Sequence, residues 1–145
     1  MVSKWDKRFL ELAEYISAWS KDPSTKVGAV IANKKEIVSL GFNGFPKKIK
    51  DLKSRYKNRD LKYKLTIHAE INAMEYANKN LTNYTLYTWP FIPCSRCCVQ
   101  IIQAGISRVV SVKPSKDVLS RWAEDLKLTR KLFKEAKVKL IEYKG

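Results

Sequence analysis

The sequence lacks any apolar run near the ~18 residues that a helix needs to cross a lipid bilayer, which excludes a membrane-spanning protein. It also lacks an apolar segment of the secretory type near its start, so we expect the mature protein to begin at Met1. A disordered chain is excluded as well, because apolar residues make up 45% of the 145 residues. A chain of this length buries roughly 70% of its surface on folding, and we predict one domain over residues 1–145.

Acidic residues and cysteines are both scarce. The chain has 14 Asp and Glu against 29 Lys and Arg, and the resulting formal charge of +15 favours an anionic partner. The three cysteines, Cys94, Cys97 and Cys98, lie within five residues of one another, which is not the pattern of a disulfide framework. Without a secretory signal, such a cluster indicates a metal or redox site in a reducing compartment, and we expect the protein in the cytoplasm.

Hydrophobic periodicity predicts alternating helices and strands. Helices are predicted over residues 5–21, 68–78, 94–104 and 118–136, and strands over residues 27–32, 36–40, 83–89, 107–112 and 138–143. In the last helix the apolar residues Leu119, Trp122, Leu126 and Phe133 are expected to face the core. Residues 47–66 carry nine Lys or Arg against two Asp and are interpreted as a solvated surface excursion. This order of elements predicts an α/β protein, a three-layer α/β/α sandwich with a mixed five-stranded sheet.

The single histidine, His68, belongs to a pattern of metal ligands. It begins the run His68-Ala69-Glu70, and Pro93-Cys94-Ser95-Arg96-Cys97 follows 25 residues later. Cys94 and Cys97 are three residues apart, so both sulfurs of a helix's first turn can reach one ion, with His68 as the third ligand. Thiolate and imidazole ligands select zinc, and three protein ligands leave a fourth position for water, which indicates a catalytic site. Cys98 projects about 100° away from Cys97 and is predicted to be a buried packing residue.

Glu70 lies two residues after His68 and is not needed as a ligand, so it is available to move protons. The combination H-x-E and P-C-x-x-C is the signature of zinc-dependent base deaminases. In that chemistry activated water attacks an amidine carbon of the base, Glu70 carries the proton to a ring nitrogen, and ammonia departs. The backbone amide of Ala69 is a candidate donor to the attacking oxygen.

Beyond these motifs, the sequence resembles the deoxycytidylate (dCMP) deaminase family of the cytidine deaminase superfamily over nearly its whole length. The resemblance also rests on residues 20–29 (SKDPSTKVGA), residues 41–46 (GFNGFP) and residues 132–138 (LFKEAKV). It implies hydrolysis of dCMP to dUMP and ammonia, which supplies dUMP for thymidylate synthesis. It also implies a cytidine deaminase-like fold, one zinc ion per subunit and assembly as a hexamer. The short chain and its lysine richness favour a viral source, which would place the protein in the host cytoplasm.

The same resemblance implies roles for further residues. Asn43 would bond the 3′-hydroxyl of the sugar, and a turn asparagine between two glycines is the alternative interpretation. The 5′-phosphate would be held by Ser20, Lys21, Ser24, Thr25 and Lys26, for which a solvated turn is the alternative. An allosteric site would take dCTP as activator and dTTP as inhibitor, with Mg²⁺ on the triphosphate. Its candidate residues are Gly41, Phe42, Gly44, Phe45, Lys47 and Lys48, although a run of lysines is also typical of a solvated face.

Two other functions stay open at this point. The charge of +15 is compatible with a deaminase of tRNA or single-stranded DNA, although nucleic acid is the less favoured partner. A zinc-stabilised, non-catalytic nucleic-acid-binding module is the third hypothesis. Glu70 discriminates between them, because a structural zinc site gives this carboxylate no task. The residue that stacks on the base stays open too, with Trp122 and the region of Phe91 as candidates.

Overall fold

The computed structural model describes residues 2–144, and its centre is a five-stranded sheet. The strands are β1 (Gly28–Asn33), β2 (Glu36–Phe42), β3 (Thr85–Trp89), β4 (Arg108–Val112) and β5 (Lys139–Tyr143). The helices are α1 (Lys4–Ser17), α2 (Lys53–Lys57), α3 (Arg59–Leu65), α4 (Ala69–Ala77), α5 (Ser95–Gln103) and α6 (Lys116–Glu135). Met1 and Gly145, which the predicted domain includes, lie outside the described residues.

The sheet is mixed, as the order of elements predicted. Its strand order is β2-β1-β3-β4-β5, in which β1 runs antiparallel to both β2 and β3, and β3, β4 and β5 run parallel. The alternating β-α-β pattern after β3 explains the parallel half, because each strand returns through a crossover helix. The carboxyl ends of β3 and β4 therefore lie at one edge of the sheet, and the Cys94 segment follows β3 at that edge.

Helices cover both faces of the sheet, which confirms the three-layer prediction. On one face, α1 packs Phe9 and Ile16 against a layer that includes Val30 and Tyr87. On the other face, α4, α5 and α6 share a second buried layer, to which α6 contributes Phe133. Among residues 2–144, no helix is both long and apolar enough to span a bilayer.

The structure corrects three details of the predicted elements. Helix α1 ends at Ser17 rather than near residue 21, and Trp19 lies beyond it with 54% of its surface exposed. In α6 the predicted core positions Leu119 and Trp122 are 39% and 41% exposed, because Val118 occupies the buried place one residue earlier. Residues 47–66 were interpreted as a surface excursion and no helix was predicted there, yet part of this segment forms the short helices α2 and α3.

A buried ion pair ties α1 to β4. The carboxylate of Asp6, which is 3% exposed, accepts hydrogen bonds from both terminal nitrogens of Arg108 at 2.8 and 2.7 Å. It also accepts one from the Tyr87 hydroxyl at 2.7 Å. Burial by itself raises the pKa of Asp6, but the hydrogen bonds from Arg108, Ser3 and Tyr87 outweigh burial and hold the pKa well below its usual range. Asp6 therefore stabilises the fold in its ionised form.

Asp6→Asn is expected to lower the free energy of unfolding at pH 7 by about 2–3 kcal/mol, because it leaves the Arg108 guanidinium without its countercharge. Since the pKa of Asp6 is depressed in the folded state, its contribution is complete above the unfolded pKa and is lost as the pH falls below about 4. The difference between wild type and variant should therefore shrink by about 1 kcal/mol between pH 5 and pH 3 in urea titrations. The exposed Asp117 of α6 offers the control substitution Asp117→Asn, and equal effects at both positions would contradict the prediction.

Candidate active site

The site lies where the first turns of α4 and α5 meet. His68 and Cys94 are the N-cap residues of these helices, both have extended backbone, and neither side chain makes a capping hydrogen bond. The first N–H groups of a helix have no partner within it, and together they carry a partial positive charge. The convergence of two helix N-termini therefore favours thiolates and other anions at this place.

Three side chains come close enough to share one ion. The ligand atoms of His68, Cys94 and Cys97 all lie within 4.8 Å of one another. Nδ1 of His68 is 3.5 Å from Sγ of Cys94 and 3.2 Å from Sγ of Cys97. Nitrogen and sulfur ligands of a tetrahedral zinc ion lie about 3.6 Å apart when their bonds have the usual lengths. The set of donors and its spacing therefore fit zinc.

The two thiols titrate as a pair. A hydrogen bond with Cys97 is the largest cause that lowers the pKa of Cys94 to about 4, and a second hydrogen bond, with His68, adds to it. The hydrogen bond between the two thiols, together with burial, raises the pKa of Cys97 far above the usual range. The hydrogen bond with Cys94 also raises the pKa of His68. Cys94 therefore loses its proton more readily than Cys97, and a bound metal ion would displace the remaining proton of the pair.

Glu70 lies in the first turn of α4, two residues after His68, and is only 4% exposed. Burial raises the pKa of its carboxyl to about 7, while the positive charge of His68 opposes the rise. A carboxyl that titrates near neutral pH can both accept and return a proton during a reaction. Ala69, whose backbone amide was the predicted oxyanion donor, is the first residue of α4 and is fully buried.

The backbone of α4 rests directly on β2 at Gly41. A Cβ atom on Gly41 would lie 2.5 Å from the carbonyl oxygen of Ala69 and 2.5 Å from the amide nitrogen of Ala73. Next to it, Gly44 and Ile67 exchange two backbone hydrogen bonds of 3.1 and 2.8 Å. The chain therefore enters α4 from a fixed position, and His68 is the residue after Ile67. Gly41 and Gly44, predicted to line an allosteric site, both serve to seat this helix.

Asn43 is 5% exposed and joins two segments of the chain. Its Oδ1 accepts a hydrogen bond from the amide of Val27 at 2.9 Å, and its Nδ2 donates one to the carbonyl of Thr25 at 2.9 Å. An amide group offers two donors and two acceptor positions, so one donor and one acceptor position remain for another partner. The role of Asn43 toward a sugar hydroxyl stays a prediction.

Residues 20–26 form a turn around the buried carboxylate of Asp22. Oδ1 of Asp22 accepts hydrogen bonds from the amides of Ser24 and Thr25 at 2.8 and 3.1 Å. Ser20 is buried and donates to the carbonyl of Asn43 at 2.8 Å, whereas Ser24 stays exposed. The exposed Lys26 donates to the carbonyl of Ser20. The predicted phosphate-binding segment is thus a folded turn with its own internal hydrogen bonds.

Two lysines connect this turn to the basic excursion. Lys62 of α3 is 8% exposed and pairs with Asp22 at 3.2 Å, and the exposed Lys21 pairs with Asp51 at 3.0 Å. The excursion was predicted to be solvated, so the burial of Lys62 is a correction. The sequence carried no signal for this pair, because its partners are 40 residues apart and lysine is rarely buried.

The aromatic residues proposed for the allosteric site pack against other rings. Phe42 is half-buried and lies edge-on to Trp19, with 6.1 Å between the ring centres. Phe45 stacks on Tyr56 of α2 with 4.3 Å between the ring centres and 9° between the ring planes. The contact between Phe45 and Tyr56 holds α2 against the loop after β2.

The two allosteric lysines are exposed. The ammonium group of Lys47 lies 4.9 Å from the ring centre of Tyr76 on α4, and Lys48 has a positive φ of 70°. Both are therefore accessible to an anion, although a cation–π contact occupies part of the Lys47 surface. Their role toward a nucleotide stays a prediction.

Comparison with known proteins gives matches to a family model and to several related sequences. The family model for the cytidine and deoxycytidylate deaminase zinc-binding region matches residues 3–113. An uncharacterized deaminase in the luxG 3′ region of Aliivibrio fischeri is 44% identical over 140 residues, which cover 97% of this chain and 94% of that protein. Human deoxycytidylate deaminase is 37% identical over 116 residues, which cover 74% of this chain and 64% of the human protein. The match thus spans less than two thirds of the human enzyme.

Solved structures show the same fold. A dCMP deaminase from the cyanophage S-TIM5, in complex with dCMP and dUMP, superposes with a TM-score of 0.76 at 22% identity and covers 99% of both chains. RibD from Acinetobacter baumannii superposes with a TM-score of 0.66 at 20% identity, over 96% of this chain and 35% of the other. At these identities the superpositions establish the cytidine deaminase-like fold, and the sequence matches establish the relationship. The chain therefore belongs to the cytidine and deoxycytidylate deaminase family and is an enzyme of that family.

Proposed function

We propose that this protein hydrolyses dCMP to dUMP and ammonia and so supplies dUMP for thymidylate synthesis. The observation that carries the proposal is the meeting of His68, Cys94 and Cys97 at two helix N-termini, with the buried Glu70 in the first turn of α4. Relatives named as deoxycytidylate deaminases point to the mononucleotide as substrate.

We assign one zinc ion per subunit to His68, Cys94 and Cys97. When bound, zinc makes water acidic enough to act as the nucleophile of hydrolysis near neutral pH. Two thiolates and a neutral imidazole balance the charge of the ion, and the helix N-termini help to keep the thiolates ionised.

Glu70 moves the protons of the reaction. It takes a proton from the attacking water and delivers it to the ring nitrogen next to the amino-bearing carbon. It then takes the second proton of the same oxygen and delivers it to the amino group, so that the C–N bond breaks, ammonia leaves and the oxygen becomes the carbonyl oxygen of dUMP. Burial raises the pKa of its carboxyl, which favours return of the proton to the ring after the carboxylate has accepted it. The amide of Ala69, at the start of α4, donates to the oxygen that attacks the ring.

We assign the sugar and the phosphate of dCMP to Asn43 and to the turn at residues 20–26. Asn43 uses its remaining donor and acceptor positions for the 3′-hydroxyl. Ser20, Lys21, Ser24, Thr25 and Lys26 hold the 5′-phosphate. Within this set, the exposed Lys21, Ser24 and Lys26 are the groups that a phosphate reaches directly, whereas the buried Ser20 shapes the turn.

We also propose that nucleoside triphosphates regulate the enzyme. We expect dCTP with Mg²⁺ to activate a hexameric enzyme and dTTP to inhibit it, through the segment from Gly41 to Lys48. The exposed Lys47 and Lys48 supply positive charge toward the triphosphate. Gly41 and Gly44 hold the start of α4 in place. A nucleotide bound to this segment therefore shifts His68 and Glu70 when it shifts these glycines.

The test is ammonia release by the zinc-loaded protein with dCMP, deoxycytidine, and cytosine- or adenine-containing oligonucleotides in parallel. We expect dCMP turnover, with kcat/KM for deoxycytidine roughly 100-fold lower, since two charge-assisted hydrogen bonds to the phosphate contribute about 1.5 kcal/mol each. Repeating the assay with dCTP and Mg²⁺, and with dTTP, tests the regulation. Deoxycytidine turnover equal to that of dCMP would contradict the phosphate assignment.

The formal charge of +15 favours one alternative, a deaminase that acts on a nucleic-acid strand. Such an enzyme would react with an oligonucleotide and not with dCMP, and its kcat/KM would fall steeply with salt because several phosphates are neutralised on binding. A mononucleotide enzyme would show a much shallower salt dependence. Activity on oligonucleotides alone would therefore replace the proposed substrate while leaving the chemistry of the site intact.

A further inference from the structure

Two residues of α6 hold the chain on both sides of Cys94. Before it, the hydroxyl of Thr129 donates a hydrogen bond of 2.9 Å to the carbonyl of Pro93. After it, the carboxylate of Asp125 accepts hydrogen bonds from the amide of Ser95 at 2.9 Å and from the hydroxyl of Ser95 at 2.6 Å. Asp125 and Thr129 are four residues apart and therefore lie on one face of α6. Cys94 thus lies between two neighbours that are each fixed to the same helix.

The start of α5 needs a hydrogen-bond acceptor from outside the helix because Cys94 is its N-cap residue. An N-cap residue ordinarily uses its own side chain to accept hydrogen bonds from the first N–H groups of the helix. Cys94 occupies that position, but its side chain makes no capping hydrogen bond. Asp125 of α6 accepts a hydrogen bond from the first N–H of α5, that of Ser95, at 2.9 Å. The start of α5 is thus held by an acceptor that lies outside the helix and is not one of the proposed metal ligands.

The contact behind Cys94 is buried. Thr129 is fully buried, and so is Cys98, whose thiol lies 3.7 Å from the carbonyl oxygen of Thr129. A sulfur contact of this length adds little by itself, but it closes the space between α5 and α6. Because Thr129 is fully buried, its hydroxyl serves as a hydrogen-bond partner of the Pro93 carbonyl inside this interface.

We propose that Asp125 and Thr129 are positioning residues for the metal centre. By fixing the backbone of residues 93–95, they hold the sulfur of Cys94 where His68 and Cys97 can bind the same ion. They act through the backbone and not through contact with the ion. The inference rests on the proposed zinc site, and both residues lie beyond residues 3–113, the part of the chain that the family model matches.

The experiment measures how fast the zinc-loaded protein loses its metal to an excess of chelator. Asp125→Ala and Thr129→Val are expected to speed zinc loss by about 10–100-fold, the usual effect of removing a group that orients a ligand. Asp125→Asn and Thr129→Ser keep a hydrogen-bonding group in place and should stay close to wild type. Glu124→Ala, an exposed carboxylate next to Asp125 on the same helix, is the matched control and should release zinc at the wild-type rate.

A second measurement separates positioning from general stability. In the cobalt-substituted protein the absorption bands report the geometry of the sulfur and nitrogen ligands, and they should change in Asp125→Ala but not in Glu124→Ala. A lower melting temperature with wild-type zinc loss and an unchanged cobalt spectrum would overturn the proposal. If Asp125→Ala does not fold, Thr129→Val is compared with Thr129→Ser instead. Faster zinc loss and a changed cobalt spectrum in Thr129→Val alone would then support the proposal, and equal behaviour of the two variants would overturn it. A wild-type protein that binds no zinc would instead refute the proposed function itself.

Discussion

Glu70→Gln is expected to lower kcat for dCMP by about 10²–10⁴-fold while the protein still folds and binds zinc. The substitution keeps the size of the side chain, but an amide cannot take a proton from water and return it to the ring. Glu70 is buried, so the loss cannot be replaced by solvent at the same place. Single-turnover rates of ammonia release at saturating dCMP, together with the zinc content of the variant, are the measurements.

Glu75 provides the control for this prediction. It is an exposed carboxylate on the same helix, and Glu75→Gln should leave kcat unchanged. If Glu70→Gln retained the wild-type rate, Glu70 would not be the proton carrier, and another group would have to move the protons. Absence of ammonia release in both wild type and variant would instead favour a non-catalytic zinc module. A variant without zinc would show instead that Glu70 is needed to form the metal site.

Gly41→Ala is expected to lower the free energy of unfolding by about 3 kcal/mol, because the added methyl group meets the backbone of α4 at 2.5 Å. Backbone atoms cannot rotate away as a side chain can, so the helix has to shift on the sheet. His68 and Glu70 move with it, and we expect weaker zinc binding and lower activity in addition. Urea unfolding and metal analysis of the purified variant test both effects.

Gly44→Ala is the matched control for the effect on stability. A Cβ atom at Gly44 meets no heavy atom within 4 Å, so this methyl group should cost little. The two glycines belong to the same short motif and differ mainly in the space beside them. Equal losses of stability in the two variants would mean that the close approach of α4 to Gly41 is not what the motif maintains.

Local signals in the sequence were enough to predict much of this protein. Period-2 and helical patterns located the five strands and four of the helices, because each pattern reflects a buried face within a few residues. The ligand motifs gave His68, Cys94 and Cys97, which the structure brings together. The roles of Asn43 and of residues 20–26 toward dCMP remain predictions.

What the sequence could not show depends on partners far along the chain. Lys62 appeared to belong to a solvated basic run, and only the fold brings it to the buried carboxylate of Asp22. Asp125 lies in a charged stretch of α6, so the sequence alone does not distinguish it from an ordinary surface residue. Its hydrogen bond to Ser95 exists only because α5 packs against α6. Leu119 and Trp122 fit the helical period but lie at the border of the buried face of α6. The buried face includes Val118, one residue before Leu119, and so both side chains are partly exposed. Each of these features is set by tertiary packing.

The separation of the metal ligands along the chain bears on how the enzyme acquires its metal. His68 and Cys94 are 26 residues apart, and closing a loop of that length in an unfolded chain costs about 3.5 kcal/mol of chain entropy. In the folded protein this loop is already closed by apolar packing, since Ala69 and Ala73 of α4 share a buried layer with Cys98 and Ile101 of α5. An ion that arrives after folding therefore meets its ligands in place. Metal uptake should thus follow the folding of the sheet and its helices.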